Sequence, residues 1–272
     1  MTAQKSYRLG LIGAGKLAGS VIHGLIRAKF CRPGQIIASE PNEQTRAALQ
    51  RESGVSVTAD NAEVAEKAEV VFIGVKPAMV LPVLRELSDE LQNKLLISLA
   101  GGVRISSMEK IANARFMRAL TNTPSAICRA ATGITRGSRS TSEDVDLAKK
   151  IFGAIGVVVE VEEEQIDAVT ALSGSGPAFV YTVIEALAAG GTKMGLPNDV
   201  ALELATQTAL GAAALMQESK MSPEELRKMV VAPGGTTAAG LAVMEKLGAS
   251  ESLIAAVEAA TKRGREMAKE NQ

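Results

Sequence analysis

A chain of 272 residues, 46% apolar and 22% charged, has room for one large domain or two ordinary ones, and its balance is that of a globular protein rather than a disordered or membrane-spanning one. Lysine plus arginine equals aspartate plus glutamate at 30 each, so no electrostatic footprint for nucleic acid or an anionic membrane appears, and 3% aromatics leave no stacking platform for single strands. One histidine and two distant cysteines exclude a histidine-built metal centre, a zinc ribbon and a disulfide framework.

Only "MTAQKS" stands before the apolar run at Tyr7, too little for a signal peptide, and no stretch of about 18 apolar residues follows. A cytoplasmic location is therefore expected. "YRLGLIGAGKLAGSVIHGLIRA" reads as a short strand, a glycine turn and a helix with apolar residues at helical spacing. Gly13, Gly15 and Ala18 form GxGxxA, a variant of the dinucleotide fingerprint. The first glycine permits a tight turn, the second lets the backbone approach a pyrophosphate, and Ala18 keeps helix and strand close. The motif alone is weak, because a plain glycine turn has the same pattern. His23, inside the helix, reads as structural, and Cys31 and Cys128 as reduced, half-buried thiols.

The surroundings strengthen the motif. "QIIASEP" is a second strand followed by the helical "NEQTRAALQRE". Then come a strand "VSV" at Val55, a helix from Asn61, a strand "VVFIGV" from Val70, a helix after Pro77 and a strand "LLISLAG" from Leu95. This alternation predicts a mainly parallel sheet with helices on both faces and a ligand at the carboxyl ends of its strands. Those ends are Gly13 to Leu17, Ser39 to Asn42, Val75 to Pro77 and Ala100 to Gly102. If Ser39 occupies the ribose position a 2′-phosphate is accepted; if Glu40 does, it is repelled. Arg46 reads as a solvated charge. NADPH and NADH both stay open, with NADPH favoured.

Two more strand-like segments, "ATGITR" and "VVVEV", precede the end of the alternation near Glu162. The acidic "EVEEEQ" reads as a solvated connection, placing a boundary at Val161 to Glu164: 1–163 a dinucleotide-binding Rossmann domain, 164–272 a helical domain. The helical part is broken at "SGSGP", "GLPND", "KMSPEE" and "APGGTT". In "AFVYTVIEALAAG" and "ALELATQTALGAAALM" apolar or small residues surround much of the helix, so these faces must be covered and an obligate dimer is expected.

"DAVTALSGSGPAFVY" and "VAPGGTTAAGL", joined in order by "IGAGKLA", "GVKP" and "TNTP", resemble the signatures of the pyrroline-5-carboxylate reductase family over essentially the whole chain. The resemblance implies an α/β Rossmann-type N-terminal domain with an all-α C-terminal dimerisation domain. It implies hydride transfer from NADPH or NADH to the C=N of 1-pyrroline-5-carboxylate, giving proline, and rings of dimers. It puts Ile12, Gly13, Ala14, Gly15, Lys16, Leu17, Ser39, Pro41, Asn61, Val75, Lys76, Pro77 and Ala100 at the dinucleotide. It puts Gly234, Gly235, Thr236 and Thr237 at the substrate, with Thr237 catalytic.

The Pro-Gly-Gly break has a matching physical sense. It exposes backbone amides at the start of a helix from Thr236, a ready site for the substrate carboxylate, and leaves the Thr237 hydroxyl for the ring nitrogen. Taken alone, either threonine would sooner be a helix cap. In "SGSGP" small residues let helices approach closely at a subunit interface and place Pro177 at a helix start, with Ser175 as a secondary substrate-site candidate. Lys76, before Pro77 in an extended loop, reads as positional rather than catalytic. Two other readings remain. A β-hydroxyacid dehydrogenase would carry a lysine base after its glycine motif, which "LSGSGPAFVYTVIEAL" lacks. A dinucleotide-binding regulator would need no second anion site.

Overall fold

In the computed structural model, which describes residues 6–272, Tyr7–Ile12 forms a strand (β1) buried along almost its whole length, as a central parallel strand must be. It is joined by β2 (Ile36–Ser39), β3 (Ser56–Thr58), β4 (Ala68–Ile73), β5 (Leu95–Ser98), β6 (Arg115–Leu120), β7 (Ala130–Arg136) and β8 (Gly156–Glu160) in one eight-stranded sheet, ordered β3-β2-β1-β4-β5-β6-β7-β8. Every neighbouring pair is parallel except β6 with β7. The helices are α1 (Lys16–Arg27), α2 (Glu43–Ser53), α3 (Asn61–Lys67), α4 (Pro77–Glu86), α5 (Ile105–Glu109) and α6 (Ser142–Gly153).

Alternation along the strands divides the core into two layers. Leu9, Leu11, Ile36, Ala38, Val70 and Phe72 face one side and Ile12, Ile37, Val71, Ile73 and Leu96 the other. Helix α1 adds Ala18, Val21, Ile22 and Leu25 to the first layer at helical spacing. Asn42 caps α2 by accepting the Thr45 N–H at 2.9 Å, and Gly54 ends it in the left-handed conformation. Cys31 is buried rather than half-buried; Cys128 is half-buried and both are free thiols. His23 stands 4.0 Å from Glu52, at the surface.

Beyond β8 come α7 (Ile166–Val169), α8 (Gly176–Lys193), α9 (Asn198–Ser219), α10 (Pro223–Val230), α11 (Thr236–Lys246) and α12 (Ala249–Glu270). The helical part changes element at "SGSGP" as expected, with a new helix starting at Gly176 and Pro177 in its first turn, but the break is not an open loop. Thr170–Gly174 forms a π-turn in which Ser175 N–H donates to Thr170 O at 2.9 Å, and α8 follows directly. Pro177 has no N–H for the carbonyl of Ser173, and Asn122 Nδ2 donates to that carbonyl instead, at 3.0 Å. Asn122 Oδ1 accepts the Ala131 N–H at 3.1 Å, so one amide joins the "TNTP" and "SGSGP" motifs to β7.

The chain divides into two compact units, and the division differs from the change of pattern at 163/164. One unit runs to Ser175 and regains Glu258–Gln272, while Gly176–Val257 makes the other. The physical reason is side-chain contact: Gly264 on α12 lies against Asp167, and Asn271 Nδ2 donates to Gly102 O at 3.2 Å. In the second unit α8 and α9 pack through Ile184, Ala188, Ala201 and Ala205. Tyr181, Leu187, Leu202, Leu204, Leu210 and Leu215 stay exposed in the single chain, apolar surface that a second subunit would cover.

Candidate active site

The carboxyl ends of β2, β1 and β4 lie side by side, with Ile12 registered against both Ser39 and Ile73. Strand order reverses at β1, which makes the crevice beyond it the topological switch point of the sheet. Gly13 turns the chain there with φ +83°, and a Cβ on it would stand 2.7 Å from the Val75 nitrogen. Its N–H and that of Ala14 both donate to Ser39 O at 3.0 Å, so these two amides shape the loop. Gly15 is different: it begins α1 with ordinary backbone angles, and a Cβ there would meet nothing within 4 Å. Protein packing does not require this glycine, whereas a phosphate seated on the helix end does. Gly19 N–H to Gly15 O is the first bond of α1, leaving the N–H groups of Lys16, Leu17 and Ala18 outside the helix ladder.

The other residues expected at a dinucleotide line the same edge. Ser39 is fully buried and its hydroxyl donates to Asn61 Oδ1 at 2.7 Å, tying the end of β2 to the first turn of α3. Pro41 is exposed in the turn to α2. Val75 follows β4; Lys76 begins α4 with its side chain exposed, and Pro77 occupies the first helical position. Ala100, just past β5, is buried and accepts from Arg118 Nη2 at 3.4 Å. A dinucleotide fits this edge: glycine where bulk would intrude, free amides at a helix start, and apolar walls.

Behind Ala100 lies a cluster that the sequence pattern did not announce. Arg118 has no exposed side-chain surface and donates to Glu163 Oε1 at 3.0 Å, while Arg104 meets Asp167 at 3.1 Å. Glu163 Oε1 also accepts the Ile105 N–H at 3.1 Å. The acidic run is thus not wholly solvated, for Glu163 turns inward to a buried cation. Burial pulls the Arg118 guanidinium below its usual value, and the charge of Glu163 opposes that shift. Arg118 Nε, Glu163 Oε2 and Asp167 Oδ1 are buried without a partner.

In the second unit, Gly234 takes φ +70° and Gly235 begins α11. Gly235 N–H is used by Ala232 O at 3.0 Å, and the first ladder bond of α11 is Ala239 N–H to Gly235 O at 3.2 Å. The N–H groups of Thr236, Thr237 and Ala238 are therefore free for an anion. Neither threonine caps the helix: Gly235 holds the cap position and no side chain bonds there. The half-buried Thr237 hydroxyl has no partner among the described residues. Ser175, also half-buried, ends the π-turn in the first unit. Lys220 ends α9 in the left-handed conformation. Among the described residues there is no cluster suited to a metal ion, and no helix is long and apolar enough to cross a membrane.

Comparison with known proteins points the same way. Residues 163–267 match the family model described as pyrroline-5-carboxylate reductase dimerisation, and residues 8–102 one described as NADP oxidoreductase, coenzyme F420-dependent. Pyrroline-5-carboxylate reductase of Pisum sativum is 42% identical, with 96% of each chain covered. The crystal structure of Plasmodium falciparum pyrroline carboxylate reductase with NADP bound matches with a TM-score of 0.89 and 28% identity, covering 98% of this chain and 100% of that one. A Coxiella burnetii pyrroline-5-carboxylate reductase matches at 0.87 and 35% identity, covering 97% and 99%.

Proposed function

The chain belongs to the pyrroline-5-carboxylate reductase family and reduces 1-pyrroline-5-carboxylate to proline with NAD(P)H as a homodimer; we propose how its residues divide that work. The nicotinamide cofactor supplies the hydride for the C=N carbon. The residues Ile12 to Leu17, Ser39, Pro41, Asn61, Val75 to Pro77 and Ala100 bind it, with the pyrophosphate beside Gly15 on the free amides of α1. The free N–H groups at Thr236, Thr237 and Ala238 hold the substrate carboxylate. The Thr237 hydroxyl donates to the ring nitrogen, stabilising the electron pair that moves there as the carbon takes the hydride, and one proton, ultimately from water, completes the secondary amine. Ser175 has a secondary role at the substrate, and the dimers assemble into rings.

The observation that carries this reading is the unspent end of α11: a helix start whose cap is a glycine and whose Thr237 hydroxyl has no partner among the described residues. Mixing the enzyme with NADPH and 1-pyrroline-5-carboxylate tests it: proline must appear in step with NADPH oxidation. Oxidation of a β-hydroxyacid with NADP in place of this reaction, or dinucleotide binding without turnover, would reject the assignment.

A further inference from the structure

Arg46 lies on α2, one turn beyond its cap, and folds back instead of extending into water. Its Nη1 donates to Glu40 O at 2.6 Å and to Pro41 O at 3.3 Å. Those carbonyls form the turn that leaves the carboxyl end of β2, where a sheet of this order receives the adenine ribose of a dinucleotide. Bonds to carbonyls hold the guanidinium in place without cancelling its charge, and among the described residues no carboxylate stands within ion-pair distance of it. Glu40, the carboxylate nearest in sequence, is turned onto the N–H of Asn42 at 3.0 Å. Ser39 is buried, its hydroxyl donating to Asn61 Oδ1 at 2.7 Å, and is not open to a ribose.

We propose that Arg46 is the specificity-determining residue for the cofactor: its guanidinium, held on the Glu40 and Pro41 carbonyls, receives the 2′-phosphate and makes NADPH the preferred reductant. This rests on the reductase reading above and adds which dinucleotide the site selects. The N–H groups on Nε and Nη2 remain for a phosphate, whose oxygens match the planar fork. NADH carries a hydroxyl at that position and gains no charge-assisted bond from it.

The test compares kcat/KM for NADPH and for NADH in the dimeric enzyme, as wild type, Arg46→Gln and Arg46→Lys. Loss of a charge-assisted pair commonly costs about ten to a hundredfold, so Arg46→Gln should lose at least about ten times more with NADPH than with NADH. Arg46→Lys, which keeps the charge and loses the fork, should fall between. Equal losses with both cofactors, or none with either, overturn the assignment, and the rate with NADH reports folding in the same samples. A binding comparison needs no turnover. Wild type should hold adenosine 2′,5′-bisphosphate about tenfold more tightly than AMP, and Arg46→Gln should lose that difference. A failed reductase reading would abolish imine reduction with both cofactors and leave this difference in place; a failed Arg46 assignment would leave the difference intact in Arg46→Gln.

Discussion

Arg118 and Glu163, 45 residues apart in the chain, meet at 3.0 Å with the guanidinium wholly buried. Through Arg118 the bond reaches the Ala100 carbonyl, and through Ile105 N–H the start of α5, so one ion pair fixes the loop that follows β5. Breaking a buried pair leaves a charge without compensation, and Arg118→Met should cost about 3 kcal/mol or more by urea unfolding. Arg118→Met with Glu163→Leu should recover at least half of that loss. A double variant whose loss is the plain sum of the single losses would show that the two side chains are not coupled.

Gly13 and Gly15 separate folding from binding. Gly13→Ala puts a Cβ against the Val75 backbone at a positive φ, and should lower the melting temperature by several degrees. Gly15→Ala points its Cβ into open space and should cost no more than about 1 kcal/mol, yet weaken NADPH binding at least about tenfold by occupying the place of the pyrophosphate. Normal NADPH affinity in Gly15→Ala would move the pyrophosphate elsewhere.

Asp144 gives the fold a pH dependence of known sign. Burial pushes its carboxyl up, but hydrogen bonds from Arg115 and the Thr141 N–H, with the charge of Arg115, bring it below the usual value. A carboxylate whose folded pKa lies below its unfolded one stabilises the fold above about pH 4, and that contribution is lost as pH falls through the folded value. Asp144→Asn should therefore melt below wild type at pH 7, with the gap narrowing as the pH falls below the ordinary carboxylate value of about 4. A gap that is constant over this range would assign the loss to shape, not charge.

The exposed apolar residues of α8 and α9 should keep the chain dimeric at working concentrations. Sedimentation at nanomolar concentration should find no fully active monomer. An active monomer would mean that this surface needs no cover.

Much of this architecture was legible because local pattern and tertiary role agree. The apolar run at Tyr7, the glycine turn and the stripe of Val21, Ile22 and Leu25 on α1 each point to the buried place they occupy. The inward turn of Glu163 was not, because an acidic run resembles a solvated linker and its partner, Arg118, sits in a distant strand. Nor was the π-turn before α8, where small residues read as a break; the donor for its Ser173 carbonyl is Asn122, outside the segment. The return of α12 to the first unit depends on contact between Gly264 and Asp167, which no periodicity encodes. Arg46 was visible as a charge, but only its bonds to the Glu40 and Pro41 carbonyls distinguish it from a solvated one.

The central claim is that the Thr237 hydroxyl acts on the substrate and does not cap a helix, and Thr237→Val isolates it by keeping the shape and removing the donor. Losing one aimed donor commonly costs on the order of a hundredfold, and kcat for imine reduction should fall between about ten and a thousandfold. NADPH affinity and melting temperature should hardly change, since the residues proposed for the dinucleotide lie in the other compact unit and the hydroxyl has no partner among the described residues. Near-normal kcat in a protein destabilised by about 1 kcal/mol, the pattern of a lost cap, would contradict the account.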